Sequence, residues 1–227
     1  MPLARLDPDQ PEQNFPELNQ ALDEPNGLIA FDGCLSASRL INAYRAGIFP
    51  WYNHNEPILW WSPDPRLVIL PKQINISRSL AKTIRKNIFR ISFDKAFGAV
   101  IEACAAPRSD AAGTWISDEI KHAYTELHEL GIAHSVEAWY DNKLVGGVYG
   151  ISIGRVFFGE SMFHTCTDAS KVAFVYLANK LESLNYEIID CQVKSRHLIS
   201  LGGKEITRKQ FREMLDQYCE YPDAWQI

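Results

Sequence analysis

The chain lacks the features of a disulfide-stapled, metal-binding or membrane-spanning protein. Its five cysteines are odd in number and form no Cys-x-x-Cys pair, which argues against a disulfide framework and a structural zinc site. Its six histidines do not show metal-ligand spacing. No apolar run has the length of a transmembrane helix, and the first residues do not resemble a secretory signal. These absences favour a soluble protein of the reducing cytoplasm.

Loops that hold nucleotide phosphates are missing as well. The chain contains neither Gly-x-x-x-x-Gly-Lys nor Gly-x-Gly-x-x-Gly, which argues against a P-loop or a dinucleotide site. The Arg/Gln-x-x-Gly-x-Gly/Ala loop with which acetyltransferases bind coenzyme A is also absent. This absence argues against binding of acetyl-coenzyme A.

Charge is distributed unevenly along the 227 residues. The net charge is −5, but residues 1–32 hold seven acids and one base, and residues 66–90 hold seven bases and no acid. In a helix over about 77–87, the four bases share one face and Leu80, Ile84 and Ile88 the other; those bases are Arg78, Lys82, Arg85 and Lys86. Such a face is often only solvated surface, but the missing acids favour contact with nucleic-acid phosphates.

Interleaved strand and helix patterns predict a mixed α/β (α+β) fold. A small N-terminal domain (1–64) with a loosely ordered acidic arm (1–26) is expected to precede a larger domain (65–227). Segment 48–66 has no regular period and is predicted to be an ordered loop. Strands are predicted at 66–70, 89–93, 134–140, 144–153, 156–158 and 186–193, and helices at 37–46, 77–87, 94–105, 117–131, 168–184, 195–201 and 207–219. This order resembles the acetyltransferase-type (GNAT) mixed-sheet fold, with a three-stranded antiparallel meander at 134–158.

Besides the basic helix, three parts of the sequence could carry chemistry. Six aromatic residues lie within eighteen positions around Trp51, where they could stack on unpaired bases or form a domain interface. Trp60 and Trp61 fit either role. Asp190 and Gln192 end an apolar strand, and alternation would place both on one face, with Cys191 buried on the other. Glu160 follows the third meander strand and could bind an amine.

Seven motifs then occur in a characteristic order. They are Gly-Ile-Phe-Pro-Trp-Tyr (47–52), Pro-Ile-Leu-Trp-Trp-Ser-Pro-Asp-Pro-Arg (57–66), Gly-Thr-Trp-Ile (113–116), Leu-Val-Gly-Gly-Val-Tyr-Gly (144–150), Gly-Glu-Ser-Met-Phe (159–163), Ala-Ser-Lys (169–171) and Ile-Asp-Cys-Gln-Val (189–193). Together they resemble the bacterial leucyl/phenylalanyl-tRNA–protein transferases. The resemblance covers about residues 26–215.

The resemblance implies a cytoplasmic aminoacyltransferase of the N-degron pathway. Such an enzyme moves Leu or Phe, with Met as a further candidate, from aminoacyl-tRNA to proteins that begin with Arg or Lys. It needs no metal or organic cofactor and no membrane. Its small N-terminal domain would precede a GNAT-like catalytic domain.

Roles for individual residues follow from the same resemblance. The catalytic residues would be Glu160, Asp190 and Gln192. Trp51 and Trp115 would embrace the aminoacyl-adenosine, and the side-chain pocket would include Tyr44, Val148, Met162 and Leu177. The tRNA backbone would be held by Arg78, Lys82, Arg85 and Lys86. Family members often carry Met at the position of Val148, an aromatic residue at Leu177 and Asn at Asp168.

The expected mechanism is direct attack of the acceptor amine on the activated ester. Glu160 and Asp190 would attract the ammonium group. A neutral amide is a poor base, so Asp190 is given the charge-bearing role and Gln192 an orienting one. Loss of either side chain should abolish turnover and leave aminoacyl-tRNA binding intact. The alternatives are an acetyl-coenzyme A-dependent N-acetyltransferase and a tRNA-binding module without catalysis.

Overall fold

The computed structural model describes residues 3–106 and 114–225, whose regular elements alternate between strand and helix. The strands are β1 (Ala4–Leu6), β2 (Leu28–Asp32), β3 (Phe49–Pro50), β4 (Leu59–Trp61), β5 (Arg66–Ile69), β6 (Arg90–Phe93), β7 (Ala133–Tyr140), β8 (Lys143–Ile153), β9 (Val156–His164), β10 (Ile188–Asp190) and β11 (Lys204–Ile206). The helices are α1 (Ala37–Arg45), α2 (Arg78–Arg85), α3 (Phe97–Ala105), α4 (Asp118–Glu129), α5 (Ala169–Ser183), α6 (Arg196–Ser200) and α7 (Arg208–Tyr218).

These strands form two mixed sheets. The smaller has the order β1-β2-β4-β3, and the larger has the order β11-β5-β10-β9-β8-β7-β6. Helices α2 and α5 cover one face of the larger sheet. Helices α1, α3, α4 and α7 pack on the opposite face together with the smaller sheet. The predicted mixed α/β fold class is confirmed.

Local signals place several elements where the sequence predicts them. Ser36 accepts a hydrogen bond from the Arg39 amide and caps α1, and Gly47 leaves the helix with a φ of +77°. Ser117 caps α4 in the same way. Asp141 and Asn142 have φ values of +50° and +59°, as the tight turn between β7 and β8 requires. The predicted meander is therefore confirmed.

Four local predictions are wrong. Segment 48–66 contains β3 and β4, which pair with each other. The helix predicted over 94–105 begins at Phe97, and the Asp94 carboxylate accepts hydrogen bonds from the Ser135 amide and the Trp225 indole. The predicted strand 186–193 shrinks to the three residues of β10, and β9 extends to His164. Strand β11, which pairs with β5, was not predicted.

The acidic arm is ordered rather than loose within its described residues. β1 pairs in parallel with β2, and Leu6 is buried. The guanidinium group of Arg39 is fully buried and donates hydrogen bonds to the backbone carbonyls of Asp7, Gln10 and Gln13. One arginine on α1 thus fixes the arm.

The smaller sheet takes its strands from residues 4–61, and the larger sheet begins at Arg66. The division into domains at 64/65 stays a prediction. Within 3–106 and 114–225, none of the helices is long and apolar enough to cross a membrane. Gly113, which opens one of the seven motifs, and the polar Pro/Gly loop before it lie outside the described residues.

Candidate functional site

The site begins where two neighbouring parallel strands part. Ile188 to Asp190 of β10 pair with Val156 to Phe158 of β9. β10 ends there, whereas β9 continues for six more residues. Past Phe158, β9 therefore has no strand partner on its β10 side. The three predicted catalytic residues lie on the two strands or the turn bordering this opening.

A bulge in β9 places the side chains of Glu160 and Met162, which lie two residues apart, on opposite faces of the sheet. Tyr149 of β8 is paired with Ser161 and Gly150 with Gly159, so that Glu160 is the extra residue between them. A bulge of this kind shifts the alternation of side chains by one position. As a result Phe158 and Glu160 face α1 and α4, whereas Met162 contacts the core on the α5 side.

The carboxylate of Glu160 is held by two tyrosine hydroxyls. Tyr44 donates to Oε1 at 2.6 Å and Tyr124 to Oε2 at 3.1 Å, and the two hydroxyls also contact each other. Burial raises the pKa of Glu160 to about 7, although both tyrosine hydrogen bonds act in the opposite direction. Burial also raises the pKa of each tyrosine well above its usual value. Glu160 thus titrates near neutral pH while both phenols stay protonated.

Asp190 forms a buried ion pair. Arg66 donates from Nε to Oδ1 at 2.8 Å and from its terminal nitrogen to Oδ2 at 2.7 Å, and both side chains are at most 1% exposed. The guanidinium group lies between the rings of Phe49 and Phe211, 4.8 and 4.7 Å from their centroids. Both carboxylate oxygens are engaged, so the predicted role of Asp190 as the free charge beside the amine does not fit this geometry.

Gln192 lies in a turn rather than on the strand. Its φ of +54° departs from extended backbone, so the expected alternation with Asp190 is wrong. The backbone amide of Gln192 instead donates to Asp190 Oδ1 at 3.0 Å. Its side-chain nitrogen is buried without a hydrogen-bond partner among the described residues. Asp190 therefore links Arg66 to the turn that presents Gln192.

The aromatic segment divides between surface and core. Trp51 is 50% exposed and packs edge-to-face on Trp61, whose indole donates to the Trp51 carbonyl at 2.6 Å. Trp60 is fully buried and donates to the Asp32 carbonyl, which assigns it to packing. Trp115 is partly buried at the edge of the same core. Trp51 keeps the free face that stacking on a ligand requires.

The residues predicted for the side-chain pocket lie on both faces of the larger sheet. Tyr44 is fully buried on the α1/α4 side, where its hydroxyl donates a hydrogen bond to Glu160 and does not line an open pocket. Val148 and Leu177 are buried on the α5 side, and Met162 is partly buried beside them. The opening between β9 and β10 is the place where a ligand could reach from one group to the other.

The basic face of α2 is present as predicted. Arg78, Lys82, Arg85 and Lys86 are exposed, and none forms an ion pair with a described residue. Leu80 is buried on the opposite side, but Ile88 is 45% exposed and does not belong to that apolar face. Arg66, which belongs to the same acid-free stretch of sequence, is buried and lies outside this surface.

Two residues that contact the predicted catalytic residues, Arg66 and Tyr124, were not identified as site residues from the sequence. Arg66 was counted only as one of the seven bases of residues 66–90, although its position after Pro65 at the start of an apolar strand could have suggested burial. Tyr124 lies on the apolar face of α4 and gives no separate signal. Across the ranges 3–106 and 114–225, no group of three or more His, Cys, Asp or Glu side chains could hold a metal ion.

Known structures of similar shape include a GCN5-related N-acetyltransferase from Kribbella flavida. It is 11% identical, with a TM-score of 0.41 over 71% of this chain and 57% of that one. A conserved protein of unknown function from Staphylococcus epidermidis is 14% identical, with a TM-score of 0.45 over 89% of this chain and 86% of that one. These likenesses are loose, and no function follows from them.

Sequence comparisons are far closer. The family model described as leucyl/phenylalanyl-tRNA protein transferase matches residues 68–216, and the model of its N-terminal domain matches 33–64. The leucyl/phenylalanyl-tRNA–protein transferase of Nitrosomonas europaea is 59% identical over 92% of this chain and 88% of its own length. That of Methylococcus capsulatus is 53% identical over 98% and 96%. The resemblance seen in the seven motifs is confirmed, and the chain belongs to the leucyl/phenylalanyl-tRNA–protein transferase family.

Proposed function

We propose that this chain transfers Leu or Phe from aminoacyl-tRNA to the N-terminal Arg or Lys of acceptor proteins, which marks them for the N-degron pathway. The observation that carries the proposal is the carboxyl group of Glu160 beside the opening between β9 and β10. Its pKa of about 7 lies close to that of a free α-amino group, about 7.7–8.0. Proton transfer between groups so matched has little energetic cost.

Glu160 receives the amine proton in this proposal. The ammonium group of the acceptor gives up its proton, and the free amine attacks the ester carbonyl carbon. The new C–N bond forms, the bond to the tRNA 3′-terminal oxygen breaks, and that oxygen takes up the second amine proton. Tyr44 and Tyr124 keep the carboxylate oriented through their hydrogen bonds. No covalent enzyme intermediate is required, because the donor ester is already activated.

Asp190 acts as a positioning residue. Its carboxylate accepts hydrogen bonds from the Arg66 guanidinium group and from the backbone amide of Gln192, so it holds the turn in place. The unpartnered side-chain nitrogen of Gln192 is free to donate to an oxygen of the reacting ester. The side-chain amide of Gln192 thus binds the donor ester, and Glu160 accepts the proton of the acceptor amine.

The aminoacyl end of the donor tRNA is proposed to bind in the opening between β9 and β10. Trp51 offers an exposed face for the terminal adenine, with Trp115 as the second aromatic residue. The Leu or Phe side chain would pass toward Met162, Val148 and Leu177 on the α5 side. The exposed bases of α2 would hold tRNA phosphates.

Transfer is tested with the full chain and defined substrates. Phe-tRNA or Leu-tRNA is mixed with a peptide that begins with Arg, and mass spectrometry should show the gain of one Phe or Leu residue. The matching peptide that begins with Ala should stay unchanged. No mass gain from any charged tRNA would overturn the proposal. Equal modification of the Ala peptide would overturn its acceptor specificity.

Donor stacking is tested with Trp51→Ala. Because Trp51 is half exposed and packs edge-to-face on Trp61 at the surface, the variant should fold normally. The KM for Phe-tRNA should rise about fivefold or more, as expected for the loss of about 1–3 kcal/mol of base stacking. An unchanged KM would remove Trp51 from the donor site. Tyr221→Ala, at 39% exposure, is the control for loss of a surface aromatic residue.

A further inference from the structure

A second aromatic pocket lies at the far end of the basic helix. Its volume is about 500 Å³, and its lining includes Phe89, Arg90, Trp139 and Tyr176. The guanidinium group of Arg90 lies 5.1 Å from the centroid of the Trp139 ring. Neither the proposed transfer nor the aminoacyl-adenosine site uses this pocket.

The path of α2 connects this pocket with the site described above. α2 joins β5 to β6, and β10, β9, β8 and β7 lie between those two strands in the sheet. The connection therefore crosses the sheet, and it does so over α5, where Thr83 donates to Asp168 at 3.1 Å. The exposed bases of α2 thus lead from the side of the sheet near β10 to the β6 edge.

The pocket also lies at the same end of the sheet as the opening between β9 and β10. The turn at Asp141 and Asn142 joins β7 to β8, and the start of β8 pairs with the end of β9 through Gly146 and His164. The opening lies between β9 and β10 and is therefore separated from β6 by between three and four strand spacings, or about 14–19 Å. A few unpaired nucleotides can span that distance.

The chemistry of the pocket fits a nucleotide. Aromatic rings stack on bases of any sequence, and an arginine beside a ring can pair with phosphate. Arg90 is exposed and has no ion-pair partner among the described residues, and Asp141 is the one acid that lines the pocket. Asn87 and Asn142 add amide groups at the rim. Together with the unpaired bases of α2, this surface is complementary to a polyanion that carries aromatic groups.

We propose that the pocket lined by the partly buried rings of Trp139 and Tyr176 binds an unpaired nucleotide of the donor RNA, at the foot of its single-stranded 3′ end. Arg90 holds the phosphate, and the rings hold the base. The inference rests on the proposed function, because it takes aminoacyl-tRNA as the donor. It extends the RNA contact surface from α2 to the edge strand β6.

The main test measures tRNA binding by Arg90→Ala, with Lys209→Ala as the matched control. Lys209 is an exposed base on α7, which packs on the opposite face of the sheet. Arg90→Ala should weaken tRNA binding about fivefold or more and reduce the slope of log K against log salt by about one. Lys209→Ala should change neither quantity. Equal behaviour of the two variants would overturn the proposal.

Stacking is tested separately with Tyr176→Ser and by ultraviolet crosslinking of bound tRNA. Thermal unfolding first identifies any variant that fails to fold. Crosslinks should map to peptides that contain Trp139 or Tyr176, and their yield should fall in Arg90→Ala. Crosslinks confined to peptides from other parts of the chain would contradict the assignment. A different result would also contradict the assignment. If wild-type protein binds anionic-lipid vesicles and Arg90→Ala does not, while both bind tRNA with the same affinity, the surface is a membrane contact.

A minimal donor distinguishes this inference from the proposed function. Phenylalanyl-adenosine lacks the nucleotides that would reach the pocket, so Arg90→Ala should transfer from it at the wild-type rate. Transfer from full Phe-tRNA should show a higher KM. If wild-type protein transfers from neither donor, the proposed function fails. If it transfers from both and Arg90→Ala matches it on full tRNA, only the pocket assignment fails.

Discussion

Glu160 occupies the position where burial and hydrogen bonding oppose each other most directly. Removal from water favours its protonated form, whereas donation by Tyr44 and Tyr124 favours the carboxylate. Burial is the larger effect, and the pKa of Glu160 rises from 4.5 to about 7. A group in this state can accept a proton from an amine near neutral pH and release it again. The same shift makes the fold sensitive to pH.

Substitution of Glu160 by Gln should remove that sensitivity. Between about pH 4.5 and pH 7 the folded chain keeps a proton on Glu160 that the unfolded chain has released, so wild-type stability falls as pH rises through this range. The variant should match wild type at pH 4 and exceed it by up to about 3 kcal/mol at pH 8. Urea unfolding at both values measures the difference. Glu182→Gln, on the exposed side of α5, is the control, and a wild-type pH profile in Glu160→Gln would contradict the assignment.

Asp190 illustrates how a polar residue at the end of a strand can serve the fold and the site together. Asp190→Ala leaves the Arg66 guanidinium buried without its partner, which should lower the free energy of unfolding by about 3–5 kcal/mol. Replacing both residues, Arg66→Met with Asp190→Leu, should recover most of that loss and still lack transfer activity. Denaturant unfolding and transfer assays on the same samples separate the two effects. Wild-type stability of Asp190→Ala would show that the pair is dispensable.

At the scale of elements, α2 offers the sharpest test of RNA contact. Lys82→Ala combined with Arg85→Ala removes two exposed charges and keeps good helix formers in place. The double variant should bind tRNA more weakly, with the salt slope reduced by between about one and two, and unfold at the wild-type temperature. Binding measured at several salt concentrations checks the slope. A uniform loss of affinity with no change in slope would mean that the two bases do not contact phosphates.

Elements with local signals were predictable, and elements that depend on distant partners were not. The Ser36 cap, the Ser117 cap and the turn at Asn142 act over a few residues, and α1, α4 and the meander appear where those signals place them. Strand β3 has two residues and exists because it pairs with β4 across the aromatic segment. Strand β11 likewise depends on β5. Short strands carry too few residues for a period to show.

The same distinction applies to the candidate site. Motifs nominated Glu160, Asp190 and Gln192, and the structure gathers them at one opening. The pairing of Arg66 with Asp190 joins residues 124 positions apart, and no local pattern reveals it. The bulge that places Glu160 and Met162 on opposite faces is also a property of the β8–β9 pairing rather than of either strand alone. The sequence therefore identified the candidate reactive residues, but it did not reveal how their side chains are oriented or which residues they pair with.

At the scale of the whole molecule, the acidic arm depends on one residue of α1. Composition predicted a loose segment, because low apolar content and many acids are typical of disorder. The structure overrides that expectation through β1–β2 pairing and through Arg39, which donates to three backbone carbonyls of the arm. The charged group is completely buried, and its partners belong to the arm itself. Attachment of the arm should therefore be lost when those bonds are removed.

Arg39→Met keeps much of the side-chain volume and removes the donors. The free energy of unfolding should fall by about 1.5–3 kcal/mol, and proteolysis within residues 3–21 should precede cleavage of the larger sheet. Arg45→Met is the control on the same helix, since its exposed ion pair with Glu220 should contribute less than about 1 kcal/mol. Cleavage sites identified by mass spectrometry, together with urea unfolding, give the result. If both variants release the arm at the wild-type rate, its other contacts are sufficient to hold it, among them the β1–β2 pairing and the hydrogen bond from Arg208 to the Leu18 carbonyl, and Arg39 is not required for its attachment.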